Sequence, residues 1–403
     1  MKITDLKTEI IKDSRGNPTI EIHLFSDDFQ AKASAGTGKS RGKFEASVLP
    51  IKDAILFIEK IKPALLQIEF QDIEDFEKRI FEFSDFENNK KLGNNAILVL
   101  GIAFIRLLAK KNKTPLYQLI GLMSQTEKPA FPYFFVNLIN GGLHARKEDS
   151  PLAFQEYLII PQERSPKLAL KTVFDFIEIL KGAALNQQGR LIEGDEGGFV
   201  ISGDEPEIGL SVLKETLGVF QNRKKTEIWF GLDVAASSLF KKGNYCWQNK
   251  TWTNNDLMEK YEKIANSYNL FYLEDPFNEE SWDDWQKLNQ KIGSRVLVAG
   301  DDLTVTNPER MKKAKEKEAI NSLIIKPSQI GSIGVTIEAI KLAKKFGWKI
   351  IVSHRSGETD DDFIADLSYG IAAFGLKAGS PLQLERLVKY ERLIDIEKDL
   401  QKN

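Results

Sequence analysis

The chain has 403 residues, 42% of them hydrophobic, with a formal net charge of −2 and a pI near 6.1. That length suffices for two domains and a large core, and the near-neutral charge offers no basic excess for nucleic acid. A single cysteine, Cys246, excludes an intrachain disulfide and a cysteine-based metal cluster, and no apolar stretch nears the roughly 20 residues that span a bilayer. The chain opens on no charged-then-apolar signal region, so the expectation is a cytoplasmic globular protein with neither nucleic-acid nor membrane partners.

The first 125 or so residues read as a hairpin-led α+β domain. Alternating segments at 3–11 and 19–25 fit strands, separated by the turn-rich Asp13-Ser14-Arg15-Gly16-Asn17-Pro18. His23, in the second of these patterns, reads as structural. A Gly-rich stretch, Gly36-Thr37-Gly38-Lys39-Ser40-Arg41-Gly42, follows, and helical periodicity then covers 51–68, 72–83 and 94–111. The Lys-rich stretches at 110–113 and 312–317 lie in helical patterns and fit solvated faces. Residues 122–132 are the linker candidate, dividing the chain into an N-terminal domain, 1–126, and a second domain, 127–403.

The second half changes rhythm. Short apolar runs each stop on a charged residue: Asp233, Glu274, Asp301, Lys326, His354 with Arg355, and Lys377. Continuous apolar runs fit strands buried on both faces, and the last five of these ends lie 27, 25, 28 and 23 residues apart, room for one strand and one crossover helix. Repeated βα units of that length predict a closed, parallel TIM-like α/β barrel, whose chemistry gathers at the C-terminal ends of the strands.

Three carboxylates converging from Asp233, Glu274 and Asp301 would repel one another unless a cation neutralised them. An oxygen-only donor set favours Mg²⁺ over zinc. Alone, any one of them would pass for a helix cap or an ion-pair partner. Lys326 and Lys377 end neighbouring runs, where mutual proximity and a nearby metal would favour loss of a proton from one, making a general base; the plainer reading is that each snorkels at the rim. Gly194-Asp195-Glu196-Gly197-Gly198 sets a carboxylate in a tight turn, placed to act as an acid or simply to form the turn. Arg355 and Ser356 offer a guanidinium and a hydroxyl suited to phosphate or carboxylate, and His144 lies in a Gly-bounded loop open to a site role.

Together these segments resemble the enolase family over nearly the whole chain. The matching stretches include DSRGNPTIE, LGNNAIL, NLINGGLHA, FQEYLIIP, GDEGGF, GLDVAAS, LEDPF, GDDLTVTNP, KPSQIGS, SHRSGETDDDFIADL and LKAGSPLQLERLVKY, in the family order. The resemblance implies an enolase-type barrel behind a capping domain and a homodimer. It also implies dehydration of 2-phosphoglycerate with two Mg²⁺ per active site. Asp233, Glu274 and Asp301 then resemble the ligands of the first Mg²⁺, and Ser40 the serine that joins the second together with the phosphate. Lys326 resembles the base, Glu196 the acid, and Lys377 the second lysine, in contact with the substrate carboxylate. Arg355 and Ser356 match the phosphate grip. His144, Glu156 and His354 match pocket residues, with Glu156 and His354 in the catalytic set and His144 and Glu156 among the substrate contacts. Enolase-superfamily sites are themselves a known case of a Lys or His base working with one or two Mg²⁺ ions. On this reading Glu196 needs a raised pKa to donate its proton.

The chain also departs from the family pattern. Lys39 and Arg41 flank Ser40 where the family usually reads S-G-A-S-T-G, which predicts altered loop dynamics with metal binding intact. About three extra residues fall between His144 and Gln155, within 146–151. Asp395 stands where an arginine commonly pairs across the dimer with the acid matching Glu21, and most of the usual C-terminal tail is absent, so the expected dimer needs a different interface. Two alternatives stay open: a barrel enzyme taking an α proton from a non-phosphorylated acid, for which Arg355, Ser356, Ser40 and Lys377 have no use, and a non-catalytic surface-binding role.

Overall fold

A central strand with apolar residues on both faces needs neighbours on both edges, and β2 (Pro18–Ser26) has them: β1 (Asp5–Lys12) and β3 (Phe29–Ser34) flank it antiparallel. The computed structural model describes residues 1–39, 42–85, 93–145, 152–268 and 270–402. Ser40, Arg41 and the 146–151 stretch therefore lie outside the described residues. Helices α1 (Ile51–Leu65), α2 (Ile73–Asp85), α3 (Asn94–Lys111) and α4 (Leu116–Met123) complete the N-terminal α+β domain. Of these α3 is apolar almost all round, and it is accordingly buried between the sheet and the other helices. Phe70, Phe76 and Phe104 pack their rings together beneath it, with Phe76 and Phe104 stacked at 4.1 Å.

Eight strands close the barrel: β4 (Tyr133–Asn140), β5 (Glu156–Pro161), β7 (Ile228–Asp233), β11 (Leu270–Glu274), β12 (Leu297–Gly300), β13 (Ser322–Ile325), β14 (Lys349–Ser353) and β15 (Gly375–Lys377), with β15 pairing back onto β4. A short ninth strand, β6 (Phe199–Val200), lies along β4, and β8 (Phe240–Lys241), β9 (Asn244–Trp247) and β10 (Lys250–Trp252) form a separate meander. The outer helices are α5 (Pro166–Gln188), α6 (Ile208–Gln221), α7 (Asn254–Ser267), α8 (Trp282–Ile292), α9 (Pro308–Glu316), α10 (Pro327–Ile330), α11 (Ile333–Phe346), α12 (Phe363–Gly370) and α13 (Leu384–Lys402). Phe135, Leu158, Ile160, Tyr272, Ala299, Ile324 and Ile351 fill the interior as a cluster of their own, so the barrel is a packed core and not a pore.

The barrel is not all-parallel. β5 runs antiparallel to both β4 and β7, because it follows β4 through a hairpin-like connection where the other barrel strands after β7 are fed by helices. The reversal has a direct chemical result. The first residue of β5, Glu156, pairs in register with Asn140 and Asp233, the last residues of β4 and β7, and so joins the catalytic end of the barrel.

Charged groups tie the two halves of the chain. Arg106 of α3 donates to Asp361 at 2.6 and 2.9 Å and to Asp362 at 2.6 Å, just before α12. Glu77 of α2 accepts from Ser332 Oγ at 2.7 Å, Ile333 N at 2.6 Å and Gly334 N at 3.0 Å, satisfying the orphan amides at the start of α11.

Candidate active site

The apolar runs end where the sequence places them. Asp233, Glu274 and Lys377 are the last residues of β7, β11 and β15, while Asp301, Lys326 and His354 immediately follow β12, β13 and β14. One pocket at this rim is lined by His144, Glu156, Glu196, Asp233, Asp301, Lys326, His354, Arg355, Ser356 and Lys377. Glu274 is fully buried and joins the group through Lys377, and Ser40 falls outside the described residues. His23 is elsewhere, on β2, with its Nε2 3.0 Å from Glu21.

Each lysine is held by carboxylates. Lys377 Nζ donates to Glu274 at 2.6 Å and Asp233 at 2.9 Å and lies 3.2 Å from Glu156, while Lys326 is bonded to Asp301. The expectation of a lysine that sheds its proton readily rests on a nearby metal, and in the ligand-free chain the carboxylates act the other way. Burial favours the neutral amine, but Asp301 and Glu274 outweigh it at Lys326, as Asp233 and Glu156 do at Lys377, and both lysines hold their protons more firmly than usual.

The turn bearing Glu196 is equally crowded. Its carboxylate lies 3.5 Å from His144 Nδ1 and 3.4 Å from His354 Nε2, and it accepts from Asn137 Nδ2 at 3.1 Å. Burial raises its pKa, while Arg386, the hydrogen bond from His354 and any proton carried by His144 or His354 pull it down. Among these groups the carboxyl pushed up is Glu156, by burial and by the charge of Glu196. The expected raised pKa of Glu196 thus has burial on its side and Arg386 against it, and the charge of the two histidines sets the balance. Burial lowers both histidines, His354 to about 4.

Arg355 meets Glu45 in a forked ion pair at 3.0–3.1 Å and donates to Ser328 Oγ at 3.1 Å. Ser356 Oγ accepts from the Lys39 amide at 2.7 Å, so the first half of the Gly-rich loop docks on the segment that carries the two residues of the grip. The Lys39 ammonium reaches Asp195 and the Leu143 carbonyl, both at 2.7 Å.

The donor set fits a hard divalent cation. Glu274 Oε1 is buried without a hydrogen-bond partner, and burial with the nearby charge of Asp233 pushes Glu274 up to about 8, the signature of anions gathered without enough countercharge. Among the described residues, three groups have all their potential ligand atoms within 4.8 Å of one another: Glu9, Glu21 and His23; His144, Glu156 and Glu196; and Asp275, Asp301 and Asp302. Asp301 belongs to the last, while Asp233 and Glu274 belong to none, being drawn onto Lys377. Next to Asp301, the Thr306 hydroxyl accepts from the Lys326 amide at 3.0 Å and donates to Gln329, whose Nε2 reaches Asp301 at 2.7 Å. Thr306 achieves this at φ +56°, a costly conformation for a β-branched residue and one that its bonds must hold.

Several of these groups give no sign in the sequence. Glu45 is an ordinary acid in a loop, Asn137 an interior strand residue, and Arg386 one charge among many in α13. Asp275 was visible only as the neighbour of Glu274, yet its carboxylate accepts from the Asp301 and Asp302 amides at 2.9 and 2.8 Å.

A closed barrel with one reversed strand, and a rim pocket of buried carboxylates, lysines and histidines behind an α+β domain, defines an enzyme of the carboxylate-and-lysine barrel type. Residues 3–120 match the family model described as enolase, N-terminal domain, and residues 128–403 that of enolase, C-terminal TIM barrel domain. Enolase B of Dictyostelium discoideum is 35% identical over 430 residues, covering 100% of this chain and 96% of its own. The enolases of Elusimicrobium minutum and Thermococcus kodakarensis are 34% and 35% identical over 416 residues, covering 100% and 99% of this chain and 97% and 95% of theirs. This chain belongs to the enolase family.

Proposed function

We propose that the chain catalyses the reversible dehydration of 2-phosphoglycerate to phosphoenolpyruvate, with Lys326 as base and Glu196 as acid. The observation that carries this reading is the meeting, in one pocket, of Lys326 and Lys377, Glu196 between two histidines, and Arg355 beside Ser356. Lys326, as the neutral amine, takes the proton from the carbon next to the carboxylate. Glu196, as the acid, protonates the departing hydroxyl as the C–O bond breaks, leaving the double bond and water. Lys377 meets the substrate carboxylate, Arg355 and Ser356 grip the phosphate, and His144, Glu156 and His354 shape the pocket around the leaving group.

Elimination ends with Lys326 as ammonium and Glu196 as carboxylate. In the ligand-free chain Asp301 and Glu274 favour the ammonium at Lys326, so the base needs those carboxylates turned to another cation before it can accept a proton. Asp233, Glu274 and Asp301 would hold one Mg²⁺, and Ser40 with the phosphate a second. When bound, these ions supply positive charge against the substrate carboxylate and draw the acidic side chains away from the lysines.

The same reading takes residues 1–126 as a capping domain over a catalytic barrel at 127–403, in a cytoplasmic homodimer. Its interface is held otherwise than by Glu21 and Asp395, since Glu21 engages His23 and Lys32, both at 3.0 Å, and Asp395 engages Lys398 at 2.9 Å. The test is the ultraviolet absorbance rise of the enol phosphate with 2-phosphoglycerate and Mg²⁺. The expected rise is abolished by a chelator and falls at least about 100-fold in Lys326→Ala and in Glu196→Gln. Unchanged turnover in either variant would sink the assignment.

A further inference from the structure

We propose that Arg386 is a positioning residue that locks His354 in its neutral Nε2–H form, so that His354 faces Glu196 as an uncharged donor. The inference rests on the reading of Glu196 as the acid.

Arg386, on α13, is fully buried. One terminal nitrogen bonds His354 Nδ1 and donates to the Arg355 carbonyl at 2.6 Å, and the other donates to the carbonyls of Ser356 at 2.8 Å and Asp195 at 3.4 Å. Its Nε faces Gln383 Oε1 at 3.4 Å. A guanidinium only donates, so the His354 nitrogen it touches must present a lone pair, and the ring proton must sit on Nε2. That nitrogen is the one 3.4 Å from Glu196 Oε2. Gly379, at φ +77°, closes the packing: a Cβ there would stand 2.8 Å from His354 Cε1 and 3.0 Å from Arg386 Cδ.

Three charged groups act most strongly on the imidazole. Glu196, from its turn, and Glu358, from the loop after β14, attract a proton, while Arg386 repels one. Glu358 is itself engaged by the Arg355 amide at 2.8 Å and by Lys389 at 3.0 Å, and the other face of Glu196 meets His144, whose pKa burial lowers. An imidazolium beside Glu196 would fix it as a carboxylate, whereas a neutral donor lets it take up and release a proton each turnover. Arg386 thus supplies orientation and keeps charge off the ring, and through three carbonyls it ties α13 to the acid's turn and to the phosphate-grip segment.

With only three histidines in the chain, ¹⁵N-histidine labelling resolves the question, His354→Gln assigning the signal. The expected wild-type spectrum at pH 7 shows His354 with Nδ1 unprotonated and Nε2 protonated. In Arg386→Met the ring should titrate about one pH unit or more higher, the acid limb of the kcat profile should move with it while KM changes little, and Arg386→Lys should recover part of the shift. An Nδ1–H tautomer or an imidazolium in the wild type overturns the proposal, as does an unshifted profile in folded Arg386→Met. The wild-type spectrum decides the tautomer even where the variant fails to fold. It also does so if the wild type turns over no 2-phosphoglycerate, a result that would count against the proposed reaction alone.

Discussion

Glu45 reaches from the N-terminal domain to clasp Arg355 of the barrel, its two carboxylate oxygens 3.0–3.1 Å from the guanidinium nitrogens. The arginine assigned to the phosphate therefore already holds an anion, and both side chains are nearly buried.

Glu45→Gln should bind inorganic phosphate several-fold more tightly, because the ligand no longer competes with a carboxylate for the same fork. It should also melt earlier, since breaking a buried pair from one side costs about 3–5 kcal/mol. Calorimetric titration with phosphate and a thermal melt read the two effects, and weaker phosphate binding would reverse the argument.

Lys39→Ala should leave stability within about 0.5 kcal/mol, because its bridge to Asp195 joins a part-exposed lysine to a part-exposed carboxylate. Its catalytic effect should be larger. Losing the tie between the Gly-rich loop and the turn that carries Glu196 should raise KM for 2-phosphoglycerate several-fold, with Lys39→Arg keeping most of the wild-type value. Steady-state kinetics checks this, and an unchanged KM would show that the tie is ornamental.

His354 gives a signed dependence on pH. Its folded pKa, about 4, lies below the ordinary 6.5, so the unfolded chain binds the proton first. The associated stability is whole above pH 6.5 and is lost as pH falls toward 4, about 2 kcal/mol of it between pH 7 and 5. Denaturant melts should therefore show a shallower acid-side loss in His354→Gln than in the wild type, and parallel curves would contradict the assignment.

In the barrel interior, Gly375 of β15 leaves no room for a side chain, since a Cβ would fall 2.3 Å from the Phe135 ring. Gly375→Ala should cost about 1–3 kcal/mol by overpacking, measured as a lower denaturation midpoint at unchanged slope.

The rim was legible because a buried strand ends abruptly on a charge only where the chain reaches a polar pocket, and Asp233, Glu274, Asp301, Lys326, His354 and Lys377 all obey that rule. Strand direction was not legible for β5: YLIIP reads the same whichever way it runs, so the reversal that places Glu156 left no mark in the sequence. Residue roles followed from type and position, but proton affinities did not. Whether Lys326 and Glu196 keep their protons depends on which groups stand beside them, and those come from segments distant in sequence, Asp301 for the lysine and Arg386 with the two histidines for the acid. Arg386 escaped notice because an arginine in so highly charged a segment looks like a solvated charge until α13 is folded against the barrel mouth.

The reversed strand also decides where this scaffold can change length. A connection that leaves β4 and returns into antiparallel β5 begins and ends at the same rim, so it never has to span the barrel wall. Lengthening such a loop costs little, about 0.6 kcal/mol for each doubling. Extra length placed between β4 and β5 would therefore leave strand register and the packed interior as they are.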